Sequence, residues 1–287
     1  MKSIALVFTT LLLSIFNLNA QDLEDTLLWE ISGNGLEESS YLYGTIHITC
    51  DATLSSKILK ALDNTEQLVL ELDMDDINMQ AEAMKLMMLE DGETLSDFLS
   101  EEDYKTLDKF TTEKLGMPLK MLNNMKPFFI NAMFYQIMLD CPLESFETEL
   151  MKITKEQEEE VLGLETVAEQ IQVFDDIPYE DQLKDIIRGA TDNLEYDKAF
   201  FERMLEAYAD EDLNKLNEIM KDESYEVSSK HADKLLENRN KNWIPKIESI
   251  AKEKATFFGV GAGHLPGKYG VIELLKMQGY TVKPITE

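Results

Sequence analysis

Histidine occurs only three times in this 287-residue chain, and two of the three close the same tetrapeptide pattern, Gly-x-x-His. Gly44-Thr45-Ile46-His47 follows the apolar run Tyr41-Leu42-Tyr43, and Gly261-Ala262-Gly263-His264 follows Thr256-Phe257-Phe258-Gly259-Val260. A glycine where a strand ends lets the backbone bend or approach a neighbour closely. An imidazole placed there can bind a metal or move a proton. One such tetrapeptide is common by chance. Two, at opposite ends of the chain and each behind a strand, point to one composite site closed by the two ends of the fold.

Two glutamates interrupt apolar, strand-like runs: Glu71 in Leu68-Val69-Leu70-Glu71-Leu72 and Glu165 in Val161-Leu162-Gly163-Leu164-Glu165. A carboxylate inside a buried strand is costly unless it is paired or metal-bound. Either could be a metal ligand or a catalytic base beside the histidines. Glu71 could instead face solvent at a sheet edge, and Glu165 could cap the helix that follows it. Arg239, in the polar stretch before Trp243, could neutralise Glu71 or hold an oxyanion, although an arginine on so acidic a chain is ordinarily a surface residue. The third histidine, His231, follows two serines on a polar helix face and reads as a solvent-exposed bystander.

The elements that must position these groups show in the periodicity. Leu27–Ser32 reads as a strand ending in Gly33-Asn34-Gly35, and Tyr41–Thr49 as a second strand carrying the first histidine. Leu54–Asn64 is an amphipathic helix, and Leu68–Met74 a strand. From Ile77 to about Met138 the pattern is helical, with its many methionines expected as adaptable core filler. Pro127 suits the first turn of a helix. Ser145–Thr154 is helical, Val161–Thr166 a strand, and Thr166 with Glu169 a capping box. Acidic helices follow from Leu183 to Tyr225 and on towards Trp243. A strand with the second histidine, a closing helix over Tyr269–Met277 and a strand over Tyr280–Ile285 end the chain. Strand, Gly-x-x-His, helix and strand thus recur at both ends.

Composition narrows the function. The formal charge is −29, which disfavours nucleic-acid and anionic-lipid partners. Met1-Lys2, the apolar stretch Ile4–Phe16 and Asn19-Ala20 have the layout of a secretory signal peptide over residues 1–20. That leaves 21–287 as one domain of two intimately packed halves, in the periplasm or secreted, with no membrane span in the mature chain. In an oxidising compartment Cys50 and Cys141, the only cysteines, could pair, or remain two free thiols too far apart to bond. Cys50 as a metal ligand beside His47 is the weaker option, since soft thiolates oxidise readily outside the cell.

The segments LWEISG, SYLYGTIHIT, LVLELD, KPFF, VLGLETVAEQ, RNKNW and GVGAGHLPGKYGVIELLKMQGYTVKPI resemble, in order, those of the TraB/GumN family, whose relatives include the Tiki Wnt-inactivating metalloproteases. The resemblance implies an α/β fold in which two related sheet-containing halves, surrounded by helices and separated by a helical middle region, bring both motifs to one cleft. It implies a metal-dependent hydrolase, best described as a peptidase in the Tiki branch. By residue, His47 and His264 match the motif histidines, with Gly44 and Gly261 as the motif glycines. Glu71 and Glu165 match the strand glutamates, and Arg239 the family arginine. The expectation is a divalent cation of the zinc or manganese type held by His47, His264 and Glu71, with Glu71, Glu165 and Arg239 as candidate catalytic groups acting on a peptide or small-molecule substrate. Two alternatives follow from related folds. One is an esterase-like hydrolase without metal, with His47 as general base. The other is a non-catalytic protein that binds a metal, haem or small ligand.

Overall fold

A computed structural model of the chain describes residues 23–139 and 141–287; the expected leader over residues 1–20 lies outside them. Six strands form one mixed sheet: β1 (Leu28–Ser32), β2 (Ser40–Thr45), β3 (Gln67–Leu72), β4 (Glu160–Glu165), β5 (Phe257–Gly261) and β6 (Thr281–Pro284). Their order is β4-β3-β5-β2-β1-β6. The four strands β2, β5, β3 and β4 run parallel, while β1 is antiparallel to both β2 and β6. The expected mixed α/β class holds, and both ends of the chain feed this single sheet.

The parallel strands read as near-continuous apolar runs because helices cover both faces. Leu68, Val69 and Leu70 of β3 and Phe257 and Phe258 of β5 are fully buried. Burying each such side chain stabilises the fold by roughly 1.5–3 kcal/mol. The helical middle region closes its own cluster, with Leu95, Leu107, Ile130, Phe134 and Leu183 at its centre. Among the described residues no helix is long and apolar enough to cross a membrane.

Three local expectations are corrected. The strand expected to run to Thr49 ends at Thr45, because its partner β5 ends opposite it, at Gly261; His47 therefore lies in the turn beyond the sheet. The methionines are not all core filler. The helix Met79–Leu86 buries no residue, and Met84 and Met88 are 67% and 50% exposed, because this helix lies at the periphery against the helix Val167–Asp175. His231 is not a free surface residue: its Nε2 lies 3.0 Å from Asp181 Oδ2 and its side chain is largely covered.

Beyond β2 the chain is clamped to the approach of the helix Phe146–Glu156. Cys50 and Cys141 form a disulfide with a Cα–Cα separation of 5.7 Å. Next to it, Thr49 and Glu144 exchange both backbone hydrogen bonds, at 3.0 and 2.8 Å, and the Glu144 carboxylate accepts the Ala52 N–H at 2.9 Å. The bridged cysteines are 91 residues apart, so the cross-link removes loop-closure entropy from the unfolded chain on the order of 4–5 kcal/mol. Replacing both cysteines by serine should lower the unfolding free energy obtained from urea titration by an amount of that order, and the midpoint with it. An unchanged midpoint, with reductant also without effect on the wild type, would contradict the bridge.

Candidate active site

The parallel strands point their carboxyl ends the same way, and clefts form at that edge of α/β sheets. β2 and β5 are neighbours in register, with Gly44 opposite Val260 and Thr45 opposite Gly261. The two Gly-x-x-His motifs thus leave the sheet side by side. Gly44 makes this possible: a Cβ there would sit 3.1 Å from the Ala262 backbone and 3.2 Å from Leu265 Cδ2. Side-chain-free contact lets the short 3-10 turn Ala262–His264 fold down over β2.

All five candidate side chains reach this edge. Arg239 stands at its centre, buried on the helix Asn238–Glu253 and not in a polar break. A guanidinium has five N–H donors, and each has an acceptor here. Nε donates to Glu165 Oε1 at 2.9 Å. One Nη2 hydrogen meets Glu71 Oε2 at 2.5 Å, and the other meets Glu165 Oε1. Nη1 donates to the Leu235 carbonyl and to His264 Nε2, both at 3.1 Å. Glu165 also accepts from Trp243 Nε1 at 3.1 Å, and Gln170 reaches Glu165 and Glu71 at 3.4 and 3.3 Å. Glu165 is thereby committed to holding Arg239. Glu71 keeps its other oxygen, Oε1, towards the cleft, where it accepts the Gly261 N–H at 2.8 Å.

The hydrogen bonds settle the state of His264. The Asn240 amide nitrogen donates to the carbonyls of His264 and Tyr269, at 3.2 and 2.9 Å, which turns its oxygen to His264 Nδ1 at 2.6 Å. Nδ1 therefore carries the proton, and Nε2 offers its lone pair to Arg239. Burial is the main force on this ring, and with the Arg239 and His47 charges it outweighs the attraction of Glu71 and lowers the pKa to about 3. His264 is neutral at pH 7. Burial pushes the Glu71 carboxyl up, but His264 when protonated, Arg239, His47 and the Gly261 N–H outweigh it and hold it at about 2.

His47 is different. Its side chain is 63% exposed, and its Nδ1 lies 2.7 Å from Glu147 Oε1. Loss of solvent on the cleft side opposes its charge, but the bond to Glu147 and the charges of Glu147 and Glu71 prevail and raise it to about 9. Glu147 is buried and also accepts from Thr45 Oγ1 at 2.6 Å and Ser145 Oγ at 2.8 Å. Burial raises its carboxyl, yet the His47 contact and these hydroxyls carry it down to about 2.

Sequence reasoning missed Glu147, Gln170, Asn240 and Trp243 as parts of this site. Asn240 and Trp243 had a signal, since they share the helix of Arg239, and Trp243 lies one turn along the same face. Gln170 lies in the first turn of the helix that follows Glu165. Glu147 had none, lying far from His47 in sequence.

The three histidine-side and glutamate-side groups meet at Gly261. A Cβ on that residue would lie 3.2 Å from Glu71 Oε1, 3.6 Å from His264 Cδ2 and 3.8 Å from His47 Nε2. The glycine leaves a notch between them. Three buried carboxylates, Glu71, Glu165 and Glu147, face one guanidinium, a neutral imidazole and the exposed His47, whose charge answers Glu147, so one negative charge is left without a partner. Donor types and charge both suit a divalent cation. His47 Nε2 and Glu71 Oε1 are open to the notch, whereas His264 Nε2 becomes a ligand only if Arg239 Nη1 gives it up. As the side chains stand, no trio of His, Cys, Asp or Glu among the described residues is already gathered for a metal.

The depressed pKa values of His264, Glu71 and Glu147 have the same sign for stability. Below pH 6.5 the unfolded chain protonates His264 while the folded one does not until about 3; below 4.5 the same holds for Glu71 and Glu147 until about 2. The unfolded state binds more protons across this range, so stability falls as pH falls. The urea midpoint should begin to drop near pH 6.5, above the range of carboxylates alone, and continue to about pH 2. An imidazole of His264 that titrates near 6.5 by NMR would contradict the assignment.

Comparison with known proteins agrees with this geometry at the level of the family. The model of the TraB/PrgY/gumN family matches residues 27–284, from the start of β1 to the end of β6. No curated protein and no solved structure matches the chain. The matched span holds both Gly-x-x-His motifs, both strand glutamates and the arginine that joins them: the chain belongs to the TraB/PrgY/gumN family.

Proposed function

We propose that the protein is an exported hydrolase of peptide or related amide or ester bonds that depends on a divalent cation. The observation that carries this is the Gly261 notch, where Glu71 Oε1, His47 Nε2 and the His264 ring converge beside an excess buried carboxylate charge. His47 and Glu71 would hold the ion, with His264 joining them when Arg239 Nη1 turns away. A bound ion of the zinc or manganese type supplies a water of lowered pKa and polarises the scissile carbonyl. Glu165 and Trp243 keep Arg239 in place, and any donation by Arg239 to a developing oxyanion requires it to release a present partner, because all five N–H groups are engaged.

One observation favours a second mechanism on the same residues. The His47–Glu147 contact of 2.7 Å is the carboxylate–imidazole pair that orients a general base, with Nε2 facing the cleft. Such a base, raised to about 9, would act best at alkaline pH and would need no ion.

Chelation separates the two. Hydrolysis of a peptide and ester panel should fall at least about 100-fold on chelator treatment and return with zinc or manganese, since a bound metal ion contributes several kcal/mol to such reactions. His47→Ala and His264→Ala should each abolish the recovery. Activity that survives chelation but not His47→Ala would favour the general base, and activity untouched by both substitutions would sink the site altogether. Ion affinity by calorimetry should rise with pH towards 9, because His47 must shed its proton to bind. Gly261→Ala should fold normally, since its φ of −50° suits alanine, yet bind the ion far more weakly because the methyl fills the notch. Wild-type affinity in Gly261→Ala would remove the notch as the binding place.

A further inference from the structure

We infer that Glu147 is the positioning residue of His47: it fixes the imidazole tautomer that turns a bare Nε2 to the notch, and the clamp beyond β2 exists to hold it there. The inference rests on the proposed function only in treating His47 as part of the site.

A buried carboxylate costs several kcal/mol unless its lone pairs are filled, so its presence needs a reason. Helix capping is not that reason. Ser145 already caps the helix Phe146–Glu156 by accepting the Thr148 N–H. The Glu147 oxygens instead leave the helix: Oε1 takes Thr45 Oγ1 and His47 Nδ1, and Oε2 takes Ser145 Oγ. Both hydroxyls donate, and the helix amino end adds its partial positive charge. The carboxylate is thus held ionised and pinned in direction before it meets the imidazole. An ionised carboxylate only accepts, so His47 Nδ1 must carry hydrogen when the ring is neutral, and Nε2 is left bare. A free neutral imidazole has no such constraint.

The contact is assembled from both sides. His47 stands two residues before Thr49, and Glu147 three residues after Glu144, the pair that exchanges backbone hydrogen bonds at 3.0 and 2.8 Å. The Cys50–Cys141 bridge closes the same clamp one step further out. Bridge and backbone pair together add to the imidazole–carboxylate bond in setting the position of the exposed His47 turn.

The tautomer is read directly from two-bond and three-bond 1H–15N correlations of the ring, on protein with labelled histidine and without metal, at a pH where the ring is neutral. Wild type should show His47 with hydrogen on Nδ1. Glu147→Ala should move it to the Nε2–H form or to a mixture. It should also weaken zinc or manganese binding by calorimetry about 10- to 100-fold, the usual cost of losing an outer partner of a histidine ligand. Glu147→Gln keeps the shape, and serves if the alanine variant fails to fold: it should give the same tautomer shift in smaller degree, with the His264 resonances unmoved. Wild-type His47 carrying hydrogen on Nε2, or a His47 tautomer unchanged in both variants, would overturn the inference. A tautomer shift in a protein that binds no ion would leave the positioning role standing and refute the cation-dependent function instead.

Discussion

The site is organised by one guanidinium. Arg239 has five hydrogens to place and four acceptor atoms to take them, contributed by β3, β4, the 3-10 turn after β5 and the turn Asp233–Glu237 just before its own helix. Without it, Glu71 and Glu165 would be two buried carboxylates facing each other, a situation that costs several kcal/mol per uncompensated charge. With it, each strand end is tied to a common point. The His264 ring lies tilted at 39° against Trp243, with centroids 4.4 Å apart, and the guanidinium carbon sits 4.8 Å from the centroid of the same indole, so the two share one aromatic neighbour. The arginine is therefore a structural requirement before it is a chemical one, and any chemistry it performs must draw on contacts already made.

The two motif histidines are alike in sequence and unlike in physics. His264 is buried, held neutral and bonded at both nitrogens. His47 is mostly in solvent, bonded at one nitrogen to a buried carboxylate, and inclined to keep its proton. The cleft thus has a fixed wall and an accessible wall, with Glu71 Oε1 between them. That asymmetry follows from where the motifs end. The second runs straight into a tight turn packed on Gly44, whereas the first leaves the sheet into a loop restrained by the clamp to Glu144 and Cys141 and by the His47–Glu147 bond.

Much of this was legible in the chain. The apolar runs placed β3, β4 and β5 because parallel strands covered on both faces carry uninterrupted hydrophobic residues. The glutamates stood out because ionised groups are rare in such runs. The capping box at Thr166 and Glu169 forms as its spacing requires. What was not legible has a common cause. The burial of Met84 depends on how far another element covers its helix, and packing against the helix Val167–Asp175 leaves Met84 67% exposed. His231 finds Asp181 only because two distant helices cross. Glu147 looks like any acidic residue in a first helical turn, and its partner comes from another part of the fold.

Residue type and local period therefore determined which groups could do chemistry and which segments became strands. The motif histidines stood out by their repeated tetrapeptide and the strand glutamates by interrupting apolar runs, whereas Arg239 was singled out only through the family resemblance. Tertiary structure alone decided that β5 inserts between β2 and β3 and so sets the two motifs side by side. It alone decided that Arg239, Trp243 and Gln170 between them engage the oxygens of Glu165, and that Cys50 reaches Cys141. The physical reason is range: propensity and periodicity act over a few neighbouring residues, whereas pairing of charges and filling of hydrogen bonds depend on distances that exist only once the sheet has closed.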